Sequence, residues 1–144
     1  MSLKWSEIRW GRVVLGIILA LVIFVVVPIL INVGYGVVRG FQMRGSPPNE
    51  MIVAFARSTP VVTVGVLVTL AGAFFGGRVP ARQAEDAKPL NGLVVGVGTA
   101  VVILILVLVQ GGLDMWAVGH LLAAILGGWL VGGLLASRSA SAEV

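Results

Sequence analysis

The stretch VVLGIILALVIFVVVPILINVGYGVV, Val13 to Val38, decides the fold, because its 26 residues include no Asp, Glu, Lys or Arg. About 20 consecutive apolar residues are enough for a helix to cross the hydrocarbon of a bilayer at 1.5 Å per residue. Three further blocks share the property: Ser58–Gly77, Pro89–Leu113 and Met115–Ser137, of 20, 25 and 23 residues. All four are continuously apolar, whereas a barrel strand alternates, and a backbone in lipid must satisfy its own hydrogen bonds. The expectation is an all-α fold, a four-transmembrane-helix bundle forming one membrane domain over residues 1–144, with spans over about 13–36, 59–77, 90–110 and 115–136.

Composition points the same way. Of the residues, 58% are hydrophobic and 11% charged, and the mean hydropathy is +1.08; a soluble domain carries roughly a quarter charged residues. The first block follows Lys4, Arg9 and Arg12 as a secretory signal would. It is too long and lacks a small-x-small cleavage site, so it reads as a retained span. The absence of cysteine excludes disulfides, thiol catalysis and iron–sulfur clusters, and leaves the redox compartment open.

Seven basic residues (Lys4, Arg9, Arg12, Arg78, Arg82, Lys88 and Arg138) fall on one side of such a bundle and three (Arg39, Arg44 and Arg57) on the other. Positive loops face the cytoplasm, so both termini are expected there, in a multi-pass protein of the cell membrane. Trp5, Trp10 and Trp116 suit interfacial anchors. Pro28 removes one backbone donor inside the first span and predicts a kink near Phe24. The loop at about 41–58 contains Ser46 and Pro47–Pro48, start signals for a short interfacial helix with Met51, Ile52 and Phe55 on one side. Pro80 and Pro89 bound a connector, and the tail at about 138–144 reads as disordered.

Small residues four apart recur in the later spans: Gly72 and Gly76, Ala73 and Gly77, Gly92 and Gly96, Ala123 and Gly127, Gly128 and Gly132. Such pairs, with Gly133 beside them, stack on one helix face and let another backbone approach closely. GAFFGGRVPAR, Gly72–Arg82, is therefore read as a packing surface and not as a phosphate-binding loop, having no strand before it and no lysine after it. A shift of 56 positions carries Gly72, Gly76, Gly77 and Arg82 onto Gly128, Gly132, Gly133 and Arg138. Two related hairpins, with Arg78, Arg82 and Arg138 reaching lipid phosphates, would produce that echo; a chance coincidence among 20 glycines is the alternative. FFGGRVPAR, then NGLVVGV, then ILGGWLVGG resembles the pattern of small four-span bacterial integral membrane proteins of unknown function, over about Gly72–Gly133. The resemblance implies an architecture and supplies no activity, cofactor or site residue.

Chemistry-bearing groups are few. His120, the one histidine, is read first as a hydrogen-bonding group between helices, with a ligand or proton role as the alternative. Asp114 precedes the last span as an N-cap. The apolar blocks contain no carboxylate, paired acids or metal-ligand cluster, which argues against an enzyme and against proton-coupled transport. No cofactor and no metal is expected, and the basic residues are too scattered for a nucleic-acid surface. The expected partners are membrane lipids and a protein, either a larger membrane complex or a second copy. The function expected is a non-catalytic accessory or scaffold subunit that packs through glycine-rich faces. A homo-oligomeric channel or small-solute transporter lined by Thr63, Thr69, Thr99 and His120 is the alternative.

Overall fold

The computed structural model describes residues 8–81, 88–110 and 113–140, with 88, 89, 110 and 132–140 as backbone alone. The described residues are all-α: α1 Trp10–Met43, α2 Asn49–Ala56, α3 Thr59–Ala81, α4 Lys88–Gln110 and α5 Met115–Ala140. α1, α3 and α4 are each long and apolar enough to cross a membrane, and Met115–Val131 of α5 forms a shorter, predominantly apolar stretch that includes His120.

Each apolar block became one helix, because an unbroken apolar run satisfies its backbone only along its own axis. The helices outrun the blocks at several ends. α1 continues past Val38 to Met43, with Arg39 on its surface donating to the Tyr35 hydroxyl at 3.2 Å and to Gln42 Oε1 at 3.1 Å. It stops where Arg44 adopts a left-handed φ of 54° and Gly45 N–H donates to the Gly40 carbonyl, a wrapped C-cap. α3 runs through Pro80 to Ala81, both buried, so Pro80 is not the connector boundary that the sequence suggested. α5 is helical through Ala140, so the expected tail at 138–144 is helical over its first three residues, and the rest lies outside the described residues. α2 forms where expected. Its Met51, Ile52 and Phe55 are half-buried: Phe55 stacks on Tyr35 with centroids 3.8 Å apart, and Ile52 Cδ1 approaches Gly36.

α3 and α4 touch each other and both flanking helices, α1 on one side and α5 on the other. Two apolar clusters fill the space between them. Ala73, Ala100, Ile103 and Ala124 pack with Leu21, Phe24, Val107 and Leu121, and Ile8, Val13 and Val95 pack with Ile17, Leu90 and Val94 nearer the end that carries Trp10 and Ala81. Buried core side chains are small, and most large apolar side chains face outward, including Leu15, Ile18, Val22 and Ile29 of α1. That distribution inverts the pattern of a water-soluble domain, which rarely exposes contiguous apolar surface.

Candidate functional site

Glycine creates the closest helix contacts. A methyl placed on Gly16 of α1 would lie 2.5 Å from the Gly76 carbonyl oxygen, and one placed on Gly76 would collide with the Gly16 carbonyl. Their backbones therefore touch reciprocally, an approach suited to Cα–H···O contacts. Pro80 has no N–H for the carbonyl four residues back, and that carbonyl, of Gly76, is the one lying against Gly16. Gly72 meets the Ala20 carbonyl and Ile23, and Gly127 meets the Leu70 carbonyl and Ala73. Gly77, Gly92 and Gly128 converge from α3, α4 and α5: a methyl on Gly77 would stand 3.5 Å from Gly92 Cα and 3.6 Å from Gly128 Cα. Gly96 sits against the Ala124 carbonyl and Gly128.

The polar centre joins three helices. His120 Nδ1 lies 2.8 Å from Thr69 Oγ1, and the same hydroxyl is 3.0 Å from the Gly65 carbonyl. A hydroxyl has one proton. Given to the carbonyl, which can only accept, it leaves the oxygen to accept from Nδ1–H. The Nδ1-protonated tautomer of His120 is the one that satisfies both contacts at once, and it leaves a lone pair on Nε2. Gly65 provides room for the ring, since a methyl there would lie 3.2 Å from Cε1. The Phe24 ring of α1 meets the imidazole edge-on at 5.5 Å.

His120 also borders an open cleft of about 660 Å³ beneath the C-terminus of α2, lined by Ala56, Arg57, Val62, Val107, Asp114, Trp116, Ala117 and His120. Asp114 caps α5 as expected: its Oδ1 accepts Ala117 N–H at 2.7 Å, the third residue of the helix, where an N-cap oxygen belongs. Arg57 is exposed at the rim.

The structure sorts the sequence candidates unevenly. Gly72, Gly76, Gly77, Gly92, Gly96, Gly127 and Gly128 are all buried against neighbouring helices of the same chain. Gly132, Gly133 and Arg138 lie on the part of α5 described as backbone alone, and Arg82 lies outside the described residues. Arg78 is half-buried, with its Nε enclosed and without a hydrogen bond among the described residues. Of the four expected lining residues, only Thr69 and His120 meet. Thr63 bonds back to the Thr59 carbonyl at 2.8 Å, and Thr99 is 1% exposed with an unpartnered hydroxyl. Among the described residues no group of three metal-ligating side chains occurs.

Three participants escaped the sequence analysis. Gly16 has only Ala20 as a small companion, Gly65 has no glycine four residues away on its helix, and Asn91, fully buried, accepts from the Arg9 backbone at 3.3 Å. A small-x-x-x-small scan of the first block would have found Gly16. The chain matches no family model, and no curated protein or solved structure is similar enough to it to lend a function.

Proposed function

We propose that this chain is a non-catalytic integral membrane protein in which α1, α3, α4 and α5 cross the cell membrane as two helical hairpins, both termini being cytoplasmic. It serves as an accessory or scaffold subunit that offers a helix to a larger membrane complex. The observation that carries this is α1: among its 34 residues only Val13, Gly16 and Ala20 are buried, and it exposes a long apolar surface. The buried glycine faces are occupied within the chain, and of the apolar surfaces left exposed, which include Val101 and Ile105 of α4 and Leu122 and Trp129 of α5, the longest is the α1 face bearing Leu15, Ile18, Val22 and Ile29. Exposed Trp10 and Trp116, at opposite ends of the bundle, fit interfacial belts. The hairpin pairing is supported by a repeated contact. Gly72 and Gly76 meet Ala20 and Gly16 of the preceding span, as Gly128 meets Gly92 and Gly96 of its own.

The test is purification in mild detergent followed by mass measurement of the intact particle. Larger subunits in fixed proportion are expected, and they should be lost with Ile18→Phe/Val22→Phe, which leaves the internal contacts in place. A particle containing only copies of this chain would refute the accessory role. A second reading, a homo-oligomeric channel or small-solute transporter, is favoured by the polar cleft at His120. Flux into liposomes that is abolished by His120→Ala would establish it.

A further inference from the structure

The cleft beneath α2 has a defined hydrogen-bonding character. Its acceptor is His120 Nε2, which carries the lone pair in the tautomer whose Nδ1–H donates to Thr69 Oγ1 while that hydroxyl donates to the Gly65 carbonyl. The hydrogen bond of the ring among the described residues is made through Nδ1, and the imidazole borders the cleft. Arg57 and Asp114, of opposite formal charge, line the same space, so the lining carries no net formal charge. A cation entering would meet Arg57 and the positive end of the α5 dipole. An anion would meet Asp114 and the Nε2 lone pair. A neutral hydroxyl donor meets neither obstacle, and its own oxygen can accept from the Arg57 guanidinium. The remaining lining is apolar or aromatic, namely Ala56, Val62, Val107, Ala117 and Trp116, and Phe24 stands edge-on behind the imidazole. The volume of about 660 Å³ falls within the roughly 300–1,000 Å³ of small-molecule sites.

We infer that this cleft binds the aryl-hydroxyl head group of a neutral, lipid-soluble molecule, a phenol or hydroquinone, whose O–H donates to His120 Nε2. Binding is the whole of the claim; no electron or group transfer is involved. The inference goes beyond the scaffold role and stands without it, since it concerns the isolated chain and not its partners.

Thr69 acts as the positioning residue. With its hydroxyl removed, either imidazole nitrogen can carry the proton, and the preference for donors over acceptors is lost. The measurement is calorimetric titration of the full chain in lipid nanodiscs with a decyl-substituted para-benzohydroquinone kept reduced, and lipid-only nanodiscs as the blank. Saturable one-to-one binding is expected. The dimethyl ether of the same probe, which has no O–H, should bind about tenfold more weakly, the equivalent of roughly 1.4 kcal/mol. His120→Phe should reduce hydroquinone affinity by a similar factor, and Thr69→Val should bring the affinities for hydroquinone and quinone together. If His120→Phe does not fold, the comparison of hydroquinone with its ether in the native chain still decides. Absence of saturable binding, equal binding of the ether, or an undiminished preference in Thr69→Val would overturn the inference.

Discussion

Replacing Gly76 by alanine adds one methyl group at the point where α1 and α3 touch. That methyl would collide with the Gly16 carbonyl and stand 3.1 Å from Ala20 Cβ. The first obstacle is backbone, which has no rotamer to relieve it, so the helices must separate. Overpacking a close contact costs typically about 1–3 kcal/mol, and a backbone obstacle belongs near the top of that range. Alanine regains about 0.8–1 kcal/mol of helix propensity over glycine, leaving a net loss of about 2 kcal/mol. Gly34 is the internal control: it lies inside α1 with nothing within 4 Å of an added methyl, so Gly34→Ala should stabilise by up to about 1 kcal/mol. The two variants thus differ by about 3 kcal/mol, or roughly 6–12 °C in midpoint for a chain of this size. Thermal unfolding in detergent, followed by circular dichroism with size-exclusion recovery, measures the difference. Midpoints within about 2 °C of each other would show that α1 does not meet α3 through Gly16 and Gly76, and the described packing would fall with it. Partner release by Gly76→Leu is consequently a poor assay for an external interface, because this glycine holds the bundle itself together.

Other outcomes follow from single contacts. Asp114→Ala removes the cap on α5 and should lower stability by about 1 kcal/mol, while Asp114→Asn retains most of it; equal losses in both would point away from capping. Arg44→Gly relieves a left-handed residue at the end of α1 and should raise the thermal midpoint by the equivalent of about 1 kcal/mol. An unchanged or lower midpoint would show that the arginine side chain matters more than its backbone. Tyr35→Ala removes the stacked partner of Phe55, so limited trypsin treatment should cut faster at Arg44 and Arg57; unchanged cleavage would mean that the α2 loop is held by something else.

What could be read in the sequence was set by what periodicity records. An unbroken apolar run specifies a helix without reference to any other part of the chain, so all four blocks and the short α2 were legible. Helix ends were less so, because they depend on local bonds: Arg39 stays in α1 by bonding Tyr35 and Gln42 on its own surface. Pro80 looks like a terminator, yet α3 continues through it to Ala81, and the carbonyl it leaves without an intrahelical donor, that of Gly76, lies against Gly16. At the site, the glycines and His120 were recognisable as residue types. Their partners were not, because Thr69 lies 51 positions from His120 and pairing across helices leaves no trace in spacing along one of them. Gly16 was legible only through its four-residue spacing to Ala20, since a uniformly apolar helix does not otherwise mark which of its faces will be covered.

α1 is gripped by its backbone only near one end. Its fully buried residues stop at Ala20; beyond them Leu21 and Phe24 reach the core, and Tyr35 rests on Phe55 of α2. From Phe24 to Met43 the helix runs roughly 28 Å at 1.5 Å per residue without a fully buried residue. Its far half is thus steadied by side chains alone, so a push at Arg44 would be felt first at the Tyr35–Phe55 stack and only then at the glycine clasp.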